Sequence, residues 1–293
     1  MARSYYMEFR FPIKDVKIRT TTVRRGINNP IYSDGMVNIS QYEFSLYVEG
    51  VAWFYASNGN YVEVFPDEGA HQSTLELYLN GSVYGAILHQ RGTLPLHGSC
   101  FKHKGMGIMI CGESGMGKSS LTTAFCLKGA DFLTDDVTPI VFKGDIPYIW
   151  AMSDRIKLHS DSLQQLNQSK ETLNQVSPEW EKFYFPMQSN KGDISLLNHV
   201  FVLHIHNEPE VHFEPLKGVE KFAALRNEIY RSEYLQGMPA SEAAYLKQLV
   251  TLSQRLTVTK VSRPVQILIE QLRSDMERHM LAAEEKHSNI LVV

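Results

Sequence analysis

The residues able to do chemistry in this sequence cluster between His97 and Asp136. Gly112-Glu113-Ser114-Gly115-Met116-Gly117-Lys118-Ser119 fits G-x-x-x-x-G-K-[S/T] at every fixed position. Glycines at 112, 115 and 117 let successive backbone N–H groups turn into one concavity. A helix starting near Lys118 adds its positive end to the same spot, and Ser120 falls in its first turn. Lys118 has the reach for β- and γ-phosphates, and the Ser119 hydroxyl can ligate Mg²⁺. A glycine-rich turn without a ligand is the competing reading. Strand, loop, Lys-Ser pair and helix together favour a nucleotide phosphate site.

Two carboxylates follow closely. Asp135-Asp136 stands at the end of a short strand that begins at Asp131, just beyond the helix. Strand, loop, helix and strand make one βαβ-like unit that carries the pair to the edge where open α/β sheets bind ligands. One carboxylate can hold Mg²⁺ while the other takes a proton from an attacking hydroxyl. A solvated Asp-Asp turn is the alternative. His97, at the start of an earlier strand, would alone be read as a structural histidine, and its candidacy rests on these neighbouring acids. Arg155 and Lys157, downstream, fit either a phosphate clamp or surface cations.

The elements that must position these groups are readable from period and punctuation. The apolar run Gly107 to Cys111 predicts a buried strand, and Ser119 to Lys128 a helix stopped by Gly129. Leu96 to Phe101 predicts the partner strand of a hairpin. Residues 1–93 read as a β-rich unit: strands at 43–48, 51–55 and 61–65, with Asn58-Gly59 suited to a tight hairpin. His71 to Gln90 reads as mostly helical, interrupted at Asn80-Gly81. Residues 94–293 then form the unit that bears the loop. Beyond 145 the expectations are strands at 180–186, 196–206 and 256–261 and helices at 220–230, 241–256 and 266–286. Leu246, Leu249, Val250 and Leu252 are assigned to one buried face of the second of these helices.

Composition excludes several classes. With 43% hydrophobic and 21% charged residues, the chain has the makeup of a soluble globular protein. A net charge of −3 without a long Lys/Arg cluster argues against nucleic acid as a partner. No apolar run reaches the ~20 residues of a membrane helix, and Met1 to Tyr6 shows no start of a signal peptide. Cys100, Cys111 and Cys126 lack zinc-ligand spacing and read as buried thiols, which makes the cytoplasm the expected compartment. His199, His204 and His206 sit on one strand, but no nearby cysteine or carboxylate completes a metal site in the sequence.

His97-Gly98, the loop 112–119 and Asp135-Asp136, in this order, resemble the catalytic domain of bacterial HPr kinase/phosphorylase. The resemblance implies an α/β, phosphoenolpyruvate-carboxykinase-like P-loop kinase core, here with a β-rich N-terminal domain. It implies ATP and Mg²⁺, Asp135 as base assisted by His97, and Ser119 and Asp136 near the metal. It also implies a homo-oligomer. The family's Glu-x-Arg-Gly-x-Gly signature is absent, and Asp154-Arg155-Ile156-Lys157-Leu158 stands in the comparable region. The layout, with Leu94 to Ser99 and the Lys157-Leu158 segment, is similar to HPr-kinase-like enzymes of peptide natural-product pathways. Some of those phosphorylate the C-terminal serine of lasso-peptide precursors, which implies a precursor peptide as substrate and residues 1–93 as its recognition unit.

Overall fold

The computed structural model describes residues 9–290, so the Met1–Tyr6 segment lies outside the described residues. The fold is mixed α/β with three sheets. The first sheet has the order β1-β6-β5-β4-β3-β2, built from β1 (Lys17–Thr20), β2 (Tyr32–Ser33), β3 (Val37–Ser40), β4 (Glu43–Val48), β5 (Ala52–Ser57) and β6 (Tyr61–Pro66). Strands β4 to β6 form the expected antiparallel meander, β3 adds antiparallel to β4, and β1 adds parallel to β6. At the β5–β6 corner Asn58 and Gly59 both take positive φ, 53° and 68°, the conformation a tight hairpin requires.

The 72–90 segment is helical throughout. Helices α1 (Gln72–Tyr78) and α2 (Tyr84–Gln90) are joined by a π-helical turn over Leu79–Val83, where the sequence suggested a break. The Asn80 amide donates to the Glu76 carbonyl at 2.8 Å, so a side chain competes locally with the helical ladder. Every residue of α2 is buried. Its apolar surface joins Phe44, Phe54, Val62 and Val64 of the first sheet in a core that also takes in Val137, Met152, Tyr234 and Met238.

The second sheet carries the motif residues. Its members are β7 (Leu94–His103), β8 (Met106–Cys111), β9 (Asp131–Thr134), β10 (Val137–Lys143), β11 (Ile146–Trp150), β15 (Ile194–His206), β16 (His212–Pro215) and β17 (Thr257–Pro264). Between them in the chain lie β12 (Arg155–His159), β13 (Asn174–Ser177) and β14 (Trp180–Pro186), which form the small third sheet in the order β12-β14-β13. Helix α3 (Lys118–Leu127) follows β8, and α4 (Ser160–Gln165) follows β12. Because β11 pairs with both β10 and β15, the strands β7, β8, β15, β11 and β10 close on one another.

The βαβ expectation changes in one respect. Strand β9 does not lie beside β8, because β7 runs antiparallel between them. Along its other edge β7 meets first β10 and then β9, so β9 and β10 are one strand line interrupted at Asp135-Asp136. The interruption behaves as a bulge. Asp136 sits at φ 71°, unusual for a residue with a side chain, and its carbonyl accepts the Gly98 N–H at 3.2 Å. A bulge of this kind turns adjacent side chains out of the ladder toward a site. Gly98 has to be glycine: a Cβ there would lie 2.4 Å from the Met109 side chain and 2.9 Å from the Ile110 carbonyl.

Helices α5 (Gly218–Asn227), α6 (Pro239–Arg255) and α7 (Ile269–Ile290) complete the chain. The buried face of α6 is Ser241, Tyr245, Leu249 and Leu252, whereas Leu246 and Val250 are exposed, which corrects the face expected from the sequence. Tyr245 takes the core place and ties its hydroxyl to the Thr93 carbonyl at 2.9 Å. Among the described residues no helix is long and apolar enough to cross a membrane.

Candidate functional site

Three segments converge at Gly98. Cys111, the last residue of β8, pairs with Gly98 on one side, and Asp136 is held on the other. The loop 112–117 therefore opens beside the carboxylates. Gly112 takes φ 128°, and a Cβ would meet the Leu203 carbonyl at 2.8 Å, so the loop can leave the strand only through glycine. Gly117 caps α3 at φ 99°, and no side chain caps the first turn. Those N–H groups face the direction in which a phosphate would be held.

Lys118 begins α3 and is buried. Its ammonium donates to the Gly112 carbonyl at 2.6 Å and the Glu113 carbonyl at 3.0 Å, which folds the loop over its own lysine. Burial lowers its pKa. The Ser119 hydroxyl donates to Asp135 Oδ1 at 2.8 Å, and the Lys157 N–H approaches Asp135 Oδ2 at 3.3 Å. Ser120 bonds to Ser162 of α4 at 2.9 Å. Glu113, Ser114 and Gly115 form the exposed tip, and Met116 packs half-buried against the core beneath α3.

The two carboxylates differ. Burial, reinforced by the charge of Asp136, raises the pKa of Asp135, and no cationic side chain is hydrogen-bonded to it among the described residues. For Asp136, burial acts in the same direction, but Lys157 and His97 overcome it and hold the carboxyl well below the usual range. Lys157 Nζ donates to Asp136 Oδ2 at 2.7 Å. The His97 ring has Nδ1 at 3.1 Å from the Asp136 carbonyl and 3.6 Å from Oδ1, and burial lowers its pKa. A neutral ring that donates from Nδ1 keeps its lone pair on Nε2. The expected partnerships are thus exchanged: His97 stands with Asp136, and Ser119 with Asp135.

The candidate clamp residues separate as well. Lys157 contacts Asp136, while Arg155 lies over the Tyr184 ring at 3.7 Å and 3.8 Å from Glu76 of α1, at the edge of an opening it shares with Asp135, Asp136 and Lys157. A cleft of about 570 Å³ is lined by Lys118, Ser119, Asp135, Asp136, Lys157 and His97 together with Lys182. The donor set suits a magnesium nucleotide. A buried carboxylate without a cation, a serine hydroxyl and an uncapped helix start meet within it.

Several positioning residues were not legible beforehand. Gly85 and Gly81 let Tyr230 lie against the 72–90 helix, with a Cβ on Gly85 only 3.0 Å from the ring, and the Tyr230 ring in turn packs tilted against His97, 5.7 Å between centroids. Arg263 donates twice to the Met116 carbonyl, at 3.1 and 3.0 Å. Glu228 is buried, accepts the Gly112 N–H at 3.3 Å through Oε2, and takes the His97 N–H on its carbonyl at 2.6 Å. Burial raises its pKa against the opposing pull of the Gly112 N–H and of Lys118. Glu228→Ala is expected to raise the KM for nucleotide about 10-fold or more, since a hydrogen bond to a charged group contributes about 1.5–3 kcal/mol. Glu228→Gln, which keeps an acceptor for Gly112, should recover most of that loss in steady-state kinetics. A Gln variant as impaired as Ala would assign the effect to charge instead of loop anchoring.

No family model matches the chain, and no curated protein matches it. Among solved structures, it is similar to the HPr(Ser) kinase/phosphatase from Coxiella burnetii. That likeness covers 67% of this chain and 95% of the other at 13% identity, with a TM-score of 0.36. Agreement at this level carries no functional argument.

Proposed function

We propose that the chain is a Mg²⁺-dependent kinase that moves the γ-phosphoryl group of ATP to a serine hydroxyl of a peptide. The observation that carries this reading is the contact of Ser119 with Asp135 at the start of α3, with a second, differently partnered carboxylate one residue on. Ser119 and Asp135 would hold the metal, which when bound neutralises phosphate charge during transfer. The loop N–H groups and Lys118 stabilise charge on the phosphoryl oxygens. Asp136, kept ionised by Lys157, orients the acceptor hydroxyl, and the bare Nε2 of His97 stands ready for its proton. A bond forms from the acceptor oxygen to γ-phosphorus as the bridging P–O bond breaks and ADP leaves.

The acceptor side is supported by a second opening to the carboxylates. Arg10, Phe11 and Pro12, Asn80 and Tyr84 line it together with Asp135, Asp136 and Lys157. Residues 1–93 therefore contribute to a wall from which a peptide would reach Asp136, and the C-terminal serine of a lasso-type precursor is the proposed acceptor. Cytoplasmic location and a homo-oligomeric state belong to the same proposal.

The test is intact-mass analysis after incubation with ATP and Mg²⁺ of precursor peptides ending in serine, the same peptides ending in alanine, and HPr. One added phosphate on serine-ending peptides alone is the expected result. Phosphorylated HPr, or ATP consumed with every peptide unmodified, would overturn the peptide assignment.

A further inference from the structure

One histidine cluster lies apart from the kinase site. Strands β15 and β16 both border β17, and residues 207–211 cross the end of β17 between them. His206 is opposite Pro264 and His212 opposite Ser262, and those two positions share one face of β17. His206 and His212 therefore project from the same face of the sheet. Their rings approach to 5.3 Å between centroids at 79°, and Glu208, on the crossing segment, meets His212 Nε2 at 2.9 Å. One ligand atom from each of His206, Glu208 and His212 lies within 4.8 Å of the others. Glu208 stands two residues after His206 in the sequence, and what the crossing over β17 adds is the second imidazole, His212.

We propose that His206, Glu208 and His212 form a site for a divalent transition ion, Zn²⁺ by preference, which clips the β15–β16 crossing. Zinc ligands lie about 2.0–2.2 Å from the ion, so the atoms need to close by only a small side-chain rotation. The support around His206 is already in place. Its Nε2–H donates to the Glu210 carbonyl at 2.9 Å, which fixes the ring and leaves Nδ1 with the lone pair. An ion bound between them would replace the 2.9 Å His212 Nε2–Glu208 hydrogen bond with a bond from each group to the metal. Two imidazoles and one carboxylate select a borderline ion over Mg²⁺, which prefers oxygen ligands, and leave a fourth position for water. His206 is half-buried and the other two are exposed, so the ion has a direct path from solvent. His199 is not part of the cluster: it bonds Thr259 at 2.8 Å and stacks on Phe201.

The experiment is equilibrium dialysis of the chelator-treated full chain against ZnCl₂ in excess Mg²⁺, with thermal unfolding followed in parallel. One Zn²⁺ per chain and a raised Tm are expected, as for any ligand bound only by the folded state. His206→Ala and His212→Ala should each weaken binding by about 10-fold or more, whereas His204→Ala and Asp135→Asn should not. Absence of retained zinc in the unaltered chain would overturn the proposal. Equal zinc binding by the His206 and His212 variants, or its loss in Asp135→Asn, would do the same by placing the ion elsewhere.

Discussion

Asp136→Asn is expected to lower kcat by about 10²–10⁴, the range typical of lost proton-transfer assistance, with no change in the Mg²⁺ concentration that gives half-maximal rate. Asp135→Asn should raise that concentration and lower the rate as a consequence. The contrast follows from what each carboxylate already touches. Asp136 has its cation, Lys157 at 2.7 Å, and its histidine, so a metal ion would find its charge compensated. Among the described residues Asp135 is hydrogen-bonded by the Ser119 hydroxyl and a backbone N–H but by no cationic side chain, and burial together with the Asp136 charge raises its pKa despite the more distant Lys157. A divalent ion would remove that penalty. Steady-state rates over a Mg²⁺ titration of both variants separate the roles. An unchanged metal requirement in Asp135→Asn, with a raised one in Asp136→Asn, would restore the order implied by the family resemblance.

What was legible in the sequence was local. The loop motif needs two glycines, a lysine and a serine at fixed spacing, and the short strand and helix around it are set by near-neighbour periodicity. Even the interruption at Asn80-Gly81 was visible, though its outcome was not. A polar side chain able to bond Glu76 allows the helix to widen into a π-turn and continue, because both flanks bury apolar residues on the same core.

The partners of the site residues were hidden for a different reason. Whether His97 faces Asp135 or Asp136 depends on the bulge between β9 and β10. That bulge exists because β7 runs beside both strands. Nothing within a window of a few residues encodes that arrangement. Glu228 lies 116 positions from Gly112 and Arg263 lies 147 from Met116, so their hold on the loop is a product of tertiary packing. The α6 face failed in a related way. Helical spacing admits either Leu246 and Val250 or Tyr245 and Leu252 as the inner stripe, and the Tyr245 hydroxyl, with the Thr93 carbonyl and His89 within reach, decides between them.

Lys118→Ala should lower kcat by about 10²–10³, the loss seen when one preorganised donor to transition-state charge is removed. The same ammonium bonds two carbonyls of its own loop, so the variant also tests whether Lys118 acts on the loop or on the phosphate. Loss of the loop contacts alone leaves the carbonyl of buried Gly112 without its donor, at a cost of about 1–3 kcal/mol, and that of exposed Glu113 open to water at less. A small fall in Tm with a large fall in kcat would therefore assign the lysine to phosphoryl charge. Lys118→Arg should not restore the rate, because a rigid planar guanidinium does not replace a compact ammonium folded back under six residues of loop. Retained turnover with a large loss of stability would make Lys118 a strut for the loop, and the phosphate reading of 112–119 would fall with it.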